Sequence, residues 1–328
     1  MTNVGNFLFA PVVQTSYTRA IVLRDEASTL PGREEPYSNA EPNLQVPPAH
    51  EDPNNPPWGL GSALVVLFLS IGLIVFVPIL IIFPYALSQG FRIGTPEQSQ
   101  AFAQFVTTDK TSIILQIVAL LPIHLLTLLM VWALVTRLGK RPFFSTIGWS
   151  WGKLPAGKGV AICVGTGVAL FIVGSAIAKV LGGDKQTPLE QIINSSLAAR
   201  YLISFFAVAT APFVEEFVYR GVLYAPLQRL VGVKGAVVIV LAIFTLIHVP
   251  QYLPNLGVIA AVFLLSAALT VIRAISGRLL PCIVIHFVFN GIQAVLLVLE
   301  PYLQRFIPTP EPVTPPALIL LPLIGVLT

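Results

Sequence analysis

Residues 207–227 read AVATAPFVEEFVYRGVLYAPL, a run that is long and apolar enough to cross a membrane but contains Glu215, Glu216 and Arg220. An ionisable side chain at the centre of a bilayer costs about 2.5–3.5 kcal/mol on insertion scales. Charged residues are therefore rare in spanning helices and usually mark a functional site. This stretch predicts both a membrane fold and the place where its function resides.

The composition of the whole chain is that of a polytopic membrane protein. Of its 328 residues, 55% are hydrophobic and 10% are charged, whereas soluble domains are about 25% charged. We predict an all-α integral membrane bundle of about seven to eight transmembrane helices. The net charge of +4 gives no basis for nucleic-acid binding, and the two cysteines argue against a disulfide framework. The predicted spans are 60–87, 112–136, 157–181, 200–225, 234–250, 256–275, 279–299 and 317–328. The fifth is at the short limit, and for the eighth an interfacial segment or a partial span is the alternative.

Four regions follow from this pattern. We expect residues 1–57 to form a flexible polar tail, 58–197 the first helices, 198–300 the part that carries the charged residues, and 301–328 a Pro-rich linker with a terminal hydrophobic segment. Lys and Arg fall mostly in segments that face the cytoplasm if the N-terminus lies inside. A multi-span chain without a recognisable signal peptide fits a bacterial inner membrane.

The basic loop 137–158, RLGKRPFFSTIGWSWGKLPAGK, interleaves Phe and Trp with Lys and Arg. Such a pattern is typical of an amphipathic helix at the membrane interface. An ordinary positive-inside loop has the same composition. Both interpretations stay open from the sequence.

Glu215 and Glu216 differ in helical position. Glu216 and Arg220 are four residues apart and can pair on one helix face. Glu215 is rotated by about 100° from Glu216 and is free to face the centre of the bundle. The two carboxylates are therefore expected to have different roles.

Other predicted spans contribute further polar residues. His248 lies in AIFTLIHVP, and His286 and Asn290 lie four residues apart in IVIHFVFNGI. Counting 1.5 Å per residue, Glu215, His248 and His286 lie about 10–20 Å below the inner surface. We expect the three groups to meet at one level of the membrane.

This set of residue types suits hydrolysis of a peptide bond. A glutamate can accept a proton from water, and histidines can orient that water or bind a metal. An Asn amide and an imidazole N–H can donate to an oxyanion. Glu215, His248 and His286 could hold Zn²⁺ with one open position, or the set could act without metal. Spacing favours neither alternative.

Three motifs of the chain resemble those of a known family. EEFVYR fits EExxxR, FTLIH at 244–248 fits FxxxH, and HFVFN at 286–290 fits HxxxN. These motifs, in this order, are those of the CAAX prenyl protease and bacteriocin-processing (CPBP, Abi) family of intramembrane endopeptidases. The resemblance covers about residues 198–297. It implies that 198–300 is a CPBP-like protease core.

The resemblance implies roles for the polar residues. Glu215 would activate water with help from His248, while Glu216 and Arg220 would support the site. His286 with Asn290 would stabilise the oxyanion or contribute to metal binding. The implied enzyme is a hydrolase, a metalloendopeptidase or glutamate protease, acting on a membrane-associated or lipid-modified protein within the bilayer. The family often has glycines where Ser266 and Thr270 stand, but these residues are also small enough for close packing.

Other functions are compatible with the same residues. Intramembrane Glu, His and Arg also form proton paths in transporters and channels. No inverted repeat of the polar set occurs in the first half, which argues against a repeat-built transporter. A non-catalytic, immunity-type membrane protein of the same fold is a third alternative. We expect His124 to be a pocket-lining or packing residue and Cys282 to be a packing residue, with Cys282 as a fourth metal ligand the less favoured alternative.

Overall fold

The computed structural model describes residues 52–92, 94–183 and 185–304, and within these ranges it is all-helical. Twelve α-helices and one π-helical segment follow one another along this part of the chain. They are α1 Leu60–Ser88, α2 Pro96–Thr108, α3 Lys110–Val118, α4 Leu120–Thr136, α5 Phe143–Ile147, α6 Ala156–Gly182, α7 Pro188–Asn194, α8 Leu197–Ala209, α9 Ala211–Glu216, the π segment Phe217–Leu223, α10 Tyr224–Tyr252, α11 Leu256–Ser276 and α12 Leu280–Leu303.

Six helical stretches in the described residues are long and apolar enough to span a membrane. One of them, Leu197–Tyr252, has 56 residues, which is about 84 Å of helix against roughly 30 Å of hydrocarbon. It is interrupted at Gly232, whose φ of 74° is the left-handed region that favours glycine. The stretch therefore supplies two crossings, as predicted. The multi-pass, all-α prediction is confirmed, and segment 317–328 lies outside the described residues.

Close packing of α6 against α11 and α12 forms one half of the bundle. A Cβ atom on Gly257 of α11 would lie 2.5 Å from the carbonyl oxygen of Ala178 in α6. Only glycine fits at this approach, and membrane helices typically pack through such small residues. The contact fixes α11 closely against α6.

The π segment lies at the centre of the other half. Its residues are all buried, and its apolar side chains pack with those of α1, α4 and α10 in one cluster. Phe244 of α10 is 1% exposed within that cluster, and its ring contacts Tyr219 at a centroid distance of 5.1 Å. The segment that follows the two glutamates is thus enclosed on several sides.

The loop 137–158, for which the sequence left an amphipathic helix and an ordinary loop open, does not form one continuous helix. Only the five residues of α5 are helical before the chain turns at Gly148, where φ is 83°. Ile147 is buried against Gly221 of the π segment. The Leu279 N–H donates to the carbonyl of Gly148 at 2.9 Å. These contacts of Ile147 and Gly148 hold the middle of the loop against the bundle.

Residues 53–58, which we call the strap, also differ from the predicted flexible tail of 1–57. The indole N–H of Trp58 donates to the carbonyl of Val222 at 3.0 Å, and Trp58 is 5% exposed. Arginines from α10 and α11 bind further strap oxygens. The strap is held because its polar groups meet partners that only the folded bundle provides. The remainder of the tail, 1–51, lies outside the described residues.

Candidate active site

A break in the helix places the two glutamates. Thr210 has a φ of −130° and ends α8, and Pro212 lies in the first turn of α9. Proline is favoured there because the N–H that it lacks has no intrahelical acceptor. Glu215 and Glu216 consequently lie at the end of a short helix, directly before the π segment.

Glu216 is the centre of a fully buried polar group. Its Oε1 accepts a hydrogen bond from Nη1 of Arg220 at 3.0 Å, and both side chains are 0% exposed. The same Oε1 lies 2.9 Å from Nδ1 of His286. Buried charges are tolerated when they are paired and hydrogen-bonded. The structure therefore brings together the predicted Glu216–Arg220 pair and His286.

Ser266 and Thr270 of α11 complete the environment of Arg220. Nη2 donates to the Ser266 hydroxyl at 2.8 Å, and Nε donates to the Thr270 hydroxyl at 3.2 Å. The guanidinium lies 4.4 Å from the centre of the Phe244 ring. The sequence indicated only that Ser266 and Thr270 were small. Two hydroxyl residues one turn apart in an apolar helix were a signal for a polar partner.

Glu215 has a different environment. Its side chain is 24% exposed, and its Oε2 lies 3.8 Å from Nε2 of His286. Since a carboxylate only accepts hydrogen bonds, Nδ1 of His286 donates to Glu216, and in a neutral ring Nε2 is then an acceptor. An acceptor nitrogen beside a carboxylate is suited to share a proton or to hold a hydrogen-bond donor such as water.

His248 joins this group through an aromatic stack. Its Nδ1 lies 2.7 Å from the carbonyl oxygen of Phe244. Its ring stacks on Phe244 with centroids 4.5 Å apart, and the Phe244 ring is 6.3 Å from that of His286. Donation from Nδ1 leaves Nε2 available to accept or to ligate. Phe244 thus packs against both imidazoles, and His286 in turn faces Glu215.

Asn290 lies one turn beyond His286 on α12. Its amide donates to the carbonyl of Ala207 in α8 at 2.8 Å. This hydrogen bond ties α12 to the helix that precedes the glutamates. The amide is therefore directed at the backbone of α8, and its role in an oxyanion site stays a prediction.

Sequence reasoning missed His124 of α4. Its Nδ1 lies 2.7 Å from the Thr210 hydroxyl, which itself donates to the carbonyl of Phe206 at 3.2 Å. Since the Thr210 proton is used, Nδ1 of His124 is the donor of this pair. The imidazole is also within electrostatic range of Glu215. His124 thus contacts the break that positions the glutamates, and no motif signalled it.

The predicted zinc ligands are Glu215, His248 and His286. Within the described ranges, no three His, Cys, Asp or Glu side chains form a group that could hold a metal. Cys282 is buried, and its thiol donates to the carbonyl of Leu269 at 3.3 Å, as expected for a packing residue. Support of the His286 Nδ1 by Glu216 does match the arrangement that orients metal-binding histidines. Zinc binding stays a prediction.

These features define a multi-pass membrane protein with a Glu–His–Arg site enclosed by its helices. Residues 197–292 match the family model described as Rce1-like, the type II CAAX prenyl endopeptidase Rce1-like family. The match contains all three motifs and confirms the resemblance to CAAX-type intramembrane proteases, a family of hydrolases. No curated protein and no solved structure matches the chain.

Proposed function

We propose that the protein is an intramembrane endopeptidase in which Glu215 activates water for attack on a peptide bond. One observation carries the proposal: two adjacent carboxylates have opposite environments. Glu216 is fully buried and bonded to Arg220, whereas Glu215 is partly exposed and faces Nε2 of His286. Pairs of ionisable groups whose environments differ in this way typically divide support and proton transfer between them.

The proposed reaction is a direct attack by water. Glu215 accepts a proton from a water held between its carboxylate and Nε2 of His286, while the water oxygen bonds to the carbonyl carbon. The carbonyl oxygen becomes an oxyanion, for which the second amide hydrogen of Asn290 is the candidate donor, while Nε2 of His248 is an acceptor that helps to orient the water. The carbon–nitrogen bond then breaks, and Glu215 returns the proton to the departing amine.

Glu216 and Arg220 support this step without taking part in it. Glu216 fixes the proton of His286 on Nδ1, which leaves Nε2 free to orient the water. Arg220 donates a hydrogen bond to Glu216, and Ser266 and Thr270 hold Arg220 in place. A metalloprotease form, with Zn²⁺ bound by Glu215, His248 and His286, is an alternative in which the metal would activate the water. No step above uses it.

The proposed substrate is a peptide segment of a membrane-associated or lipid-modified protein. The site lies among helices that are long and apolar enough to span a membrane, so the proposed substrate is one that approaches it from within the bilayer. A cytoplasmic N-terminus and a bacterial inner membrane are parts of the same proposal, and the distribution of Lys and Arg supports the first of them.

The test uses the full-length protein in liposomes with membrane-anchored peptides. Single-turnover cleavage in H₂¹⁸O should place ¹⁸O in the new carboxyl group of the peptide and none in Glu215, because water attacks directly. Labelling of the Glu215 carboxylate would instead show covalent catalysis and contradict the proposed role.

The same liposomes distinguish the other classes of function. A wild-type protein that cleaves no peptide but carries protons across the bilayer would be a transporter or channel. A protein that does neither would be a non-catalytic membrane partner of the same fold. Either result would contradict the endopeptidase proposal.

A further inference from the structure

Three arginines from separate parts of the bundle hold the strap, residues 53–58. Arg137, at the end of α4, donates to the carbonyl of Pro57 at 2.9 Å. Arg229 of α10 donates to Asn55 at 2.9 Å and to the Pro56 carbonyl at 3.1 Å. Arg273 of α11 donates to Asn54 and to Pro53. The strap thus connects α4, α10 and α11 beside the π segment.

Two backbone carbonyl groups of the π segment, those of Arg220 and Val222, accept hydrogen bonds from side chains outside the segment. The Tyr224 N–H donates five residues back, to Tyr219, so the regular α-helical pattern is interrupted. In an α-helix the Val222 carbonyl would accept from residue 226, but Pro226 has no N–H. The Trp58 indole donates to Val222 instead. A buried carbonyl would otherwise lack this hydrogen bond.

Arg273 links the strap to the backbone of the π segment. It is 0% exposed, and its Nε donates to the carbonyl of Arg220 at 3.0 Å. Its other two nitrogens donate to the Asn54 side chain at 2.7 Å and to the Pro53 carbonyl at 3.0 Å. Since a buried guanidinium needs its donors satisfied, the strap supplies what keeps Arg273 in this position.

A continuous set of contacts connects the strap with the candidate active site. Arg273 holds the backbone of Arg220, whose side chain binds Glu216 at 3.0 Å. Glu216 contacts His286 at 2.9 Å, and His286 faces Glu215 at 3.8 Å. A displacement of the strap would therefore be transmitted to the group that fixes the His286 ring.

We propose that Arg273 and the two strap residues that bind it, Pro53 and Asn54, are positioning elements of the active site, which make its Glu216–Arg220–His286 group competent for catalysis. The catalytic consequence rests on the proposed function, whereas the effect on the geometry of His286 does not. Neither Arg273 nor the strap contacts the reacting atoms. We expect substitutions in these positioning elements to lower kcat and to leave KM unchanged.

Two adjacent asparagines of the strap provide a matched comparison. Asn54 binds Arg273, which continues to Arg220, whereas Asn55 binds Arg229. Each asparagine accepts an arginine hydrogen bond through its Oδ1, at 2.7 and 2.9 Å. N54A and N55A therefore remove similar interactions from the same segment, and only N54A interrupts the path to His286.

The kinetic experiment measures peptide cleavage by full-length wild type, N54A, N55A and R273K. Mutations along a network of coupled residues change the coupling between two sites by about 3- to 30-fold. N54A should lower kcat by about that factor, and R273K should do the same because lysine cannot make the three divergent hydrogen bonds of arginine. N55A should retain the wild-type kcat. Equal kcat values for N54A and N55A would overturn the proposal.

A second measurement does not depend on activity. The chain has four histidines, so ¹⁵N-histidine labelling and one H286Q variant assign the ring signals of His286. N54A and R273K should shift these signals, and N55A should leave them unchanged. If wild type cleaves no peptide, this measurement still decides the positioning role. Unshifted His286 signals in N54A and R273K would overturn it, even in an active enzyme.

Discussion

Two buried arginine–glutamate pairs among the described helices show how similar chemistry can serve different purposes. Glu300 and Arg200 join α12 to α8, and both carboxylate oxygens of Glu300 are bonded, one to Arg200 and one to Gln304. Glu216 and Arg220 lie at the site, where one Glu216 oxygen binds both Arg220 and His286. In the first pair, the other partner of the carboxylate is thus a neutral amide. The second pair contacts His286, which in turn faces the partly exposed Glu215.

A buried pair of opposite charges by itself therefore does not indicate a functional site. The second pair is distinguished by an additional carboxylate, that of Glu215, and by His286, which lies between Glu215 and Glu216. In the α8–α12 pair, the further partners are the neutral side chains of Asn194 and Gln304. We therefore expect variants to separate the pairs by activity more clearly than by stability.

The largest expected effect is on stability. R220M leaves Glu216 fully buried without its cation, which typically costs about 3–5 kcal/mol of unfolding free energy. R200M should cost less, because Glu300 is 6% exposed and keeps its hydrogen bond to Gln304. Unfolding in detergent, followed by the helical signal, measures both. A larger loss in R200M would contradict this ranking of the pairs.

Replacing both members of each pair distinguishes an effect on folding stability from an effect on catalysis. Buried ion pairs can often be exchanged for apolar residues without loss of stability. We expect E216L/R220M to fold but to lose at least about 100-fold in kcat, since His286 loses its orienting carboxylate. R200M/E300L should fold and stay active. Comparable peptide cleavage by the two double variants would remove the functional distinction between the pairs.

A smaller effect is expected at His124. H124A removes the hydrogen bond to Thr210, at the break before the glutamates, and should lower kcat by about tenfold, as for other network positions. The amide of an H124N variant can still donate to Thr210 and should recover part of the rate. If H124N is no better than H124A, the ring itself acts in the site and the positioning role is wrong.

Substitutions of the α11 hydroxyls should lower stability by less than R220M. S266A and T270V each remove one hydrogen bond to Arg220, and hydrogen bonds to charged groups contribute about 1.5–3 kcal/mol. We expect S266A to cost more than T270V, because its bond is shorter, at 2.8 against 3.2 Å. Unfolding measurements check the order, and no destabilisation in either variant would show that Arg220 does not need them.

The membrane fold was predictable because apolar length alone requires spanning helices. The Glu216–Arg220 pair was also predictable, since four-residue spacing usually places side chains on one face. The strap and the π segment were not predictable. Their partners are backbone carbonyls and side chains far away in sequence, such as Val222 for Trp58. His124 escaped notice for the same reason, because its partner Thr210 is distant along the chain.

The most direct test of Glu215 as the base is the kcat of E215Q for a membrane-anchored peptide, measured beside wild type and R200M/E300L. The substituted glutamine keeps the size of the side chain but cannot accept the proton of water, and loss of a general base typically costs about 10²–10⁴-fold in rate. We predict a loss of that size in E215Q and near-wild-type cleavage by R200M/E300L. Wild-type cleavage by E215Q would contradict the assignment of Glu215 as the base.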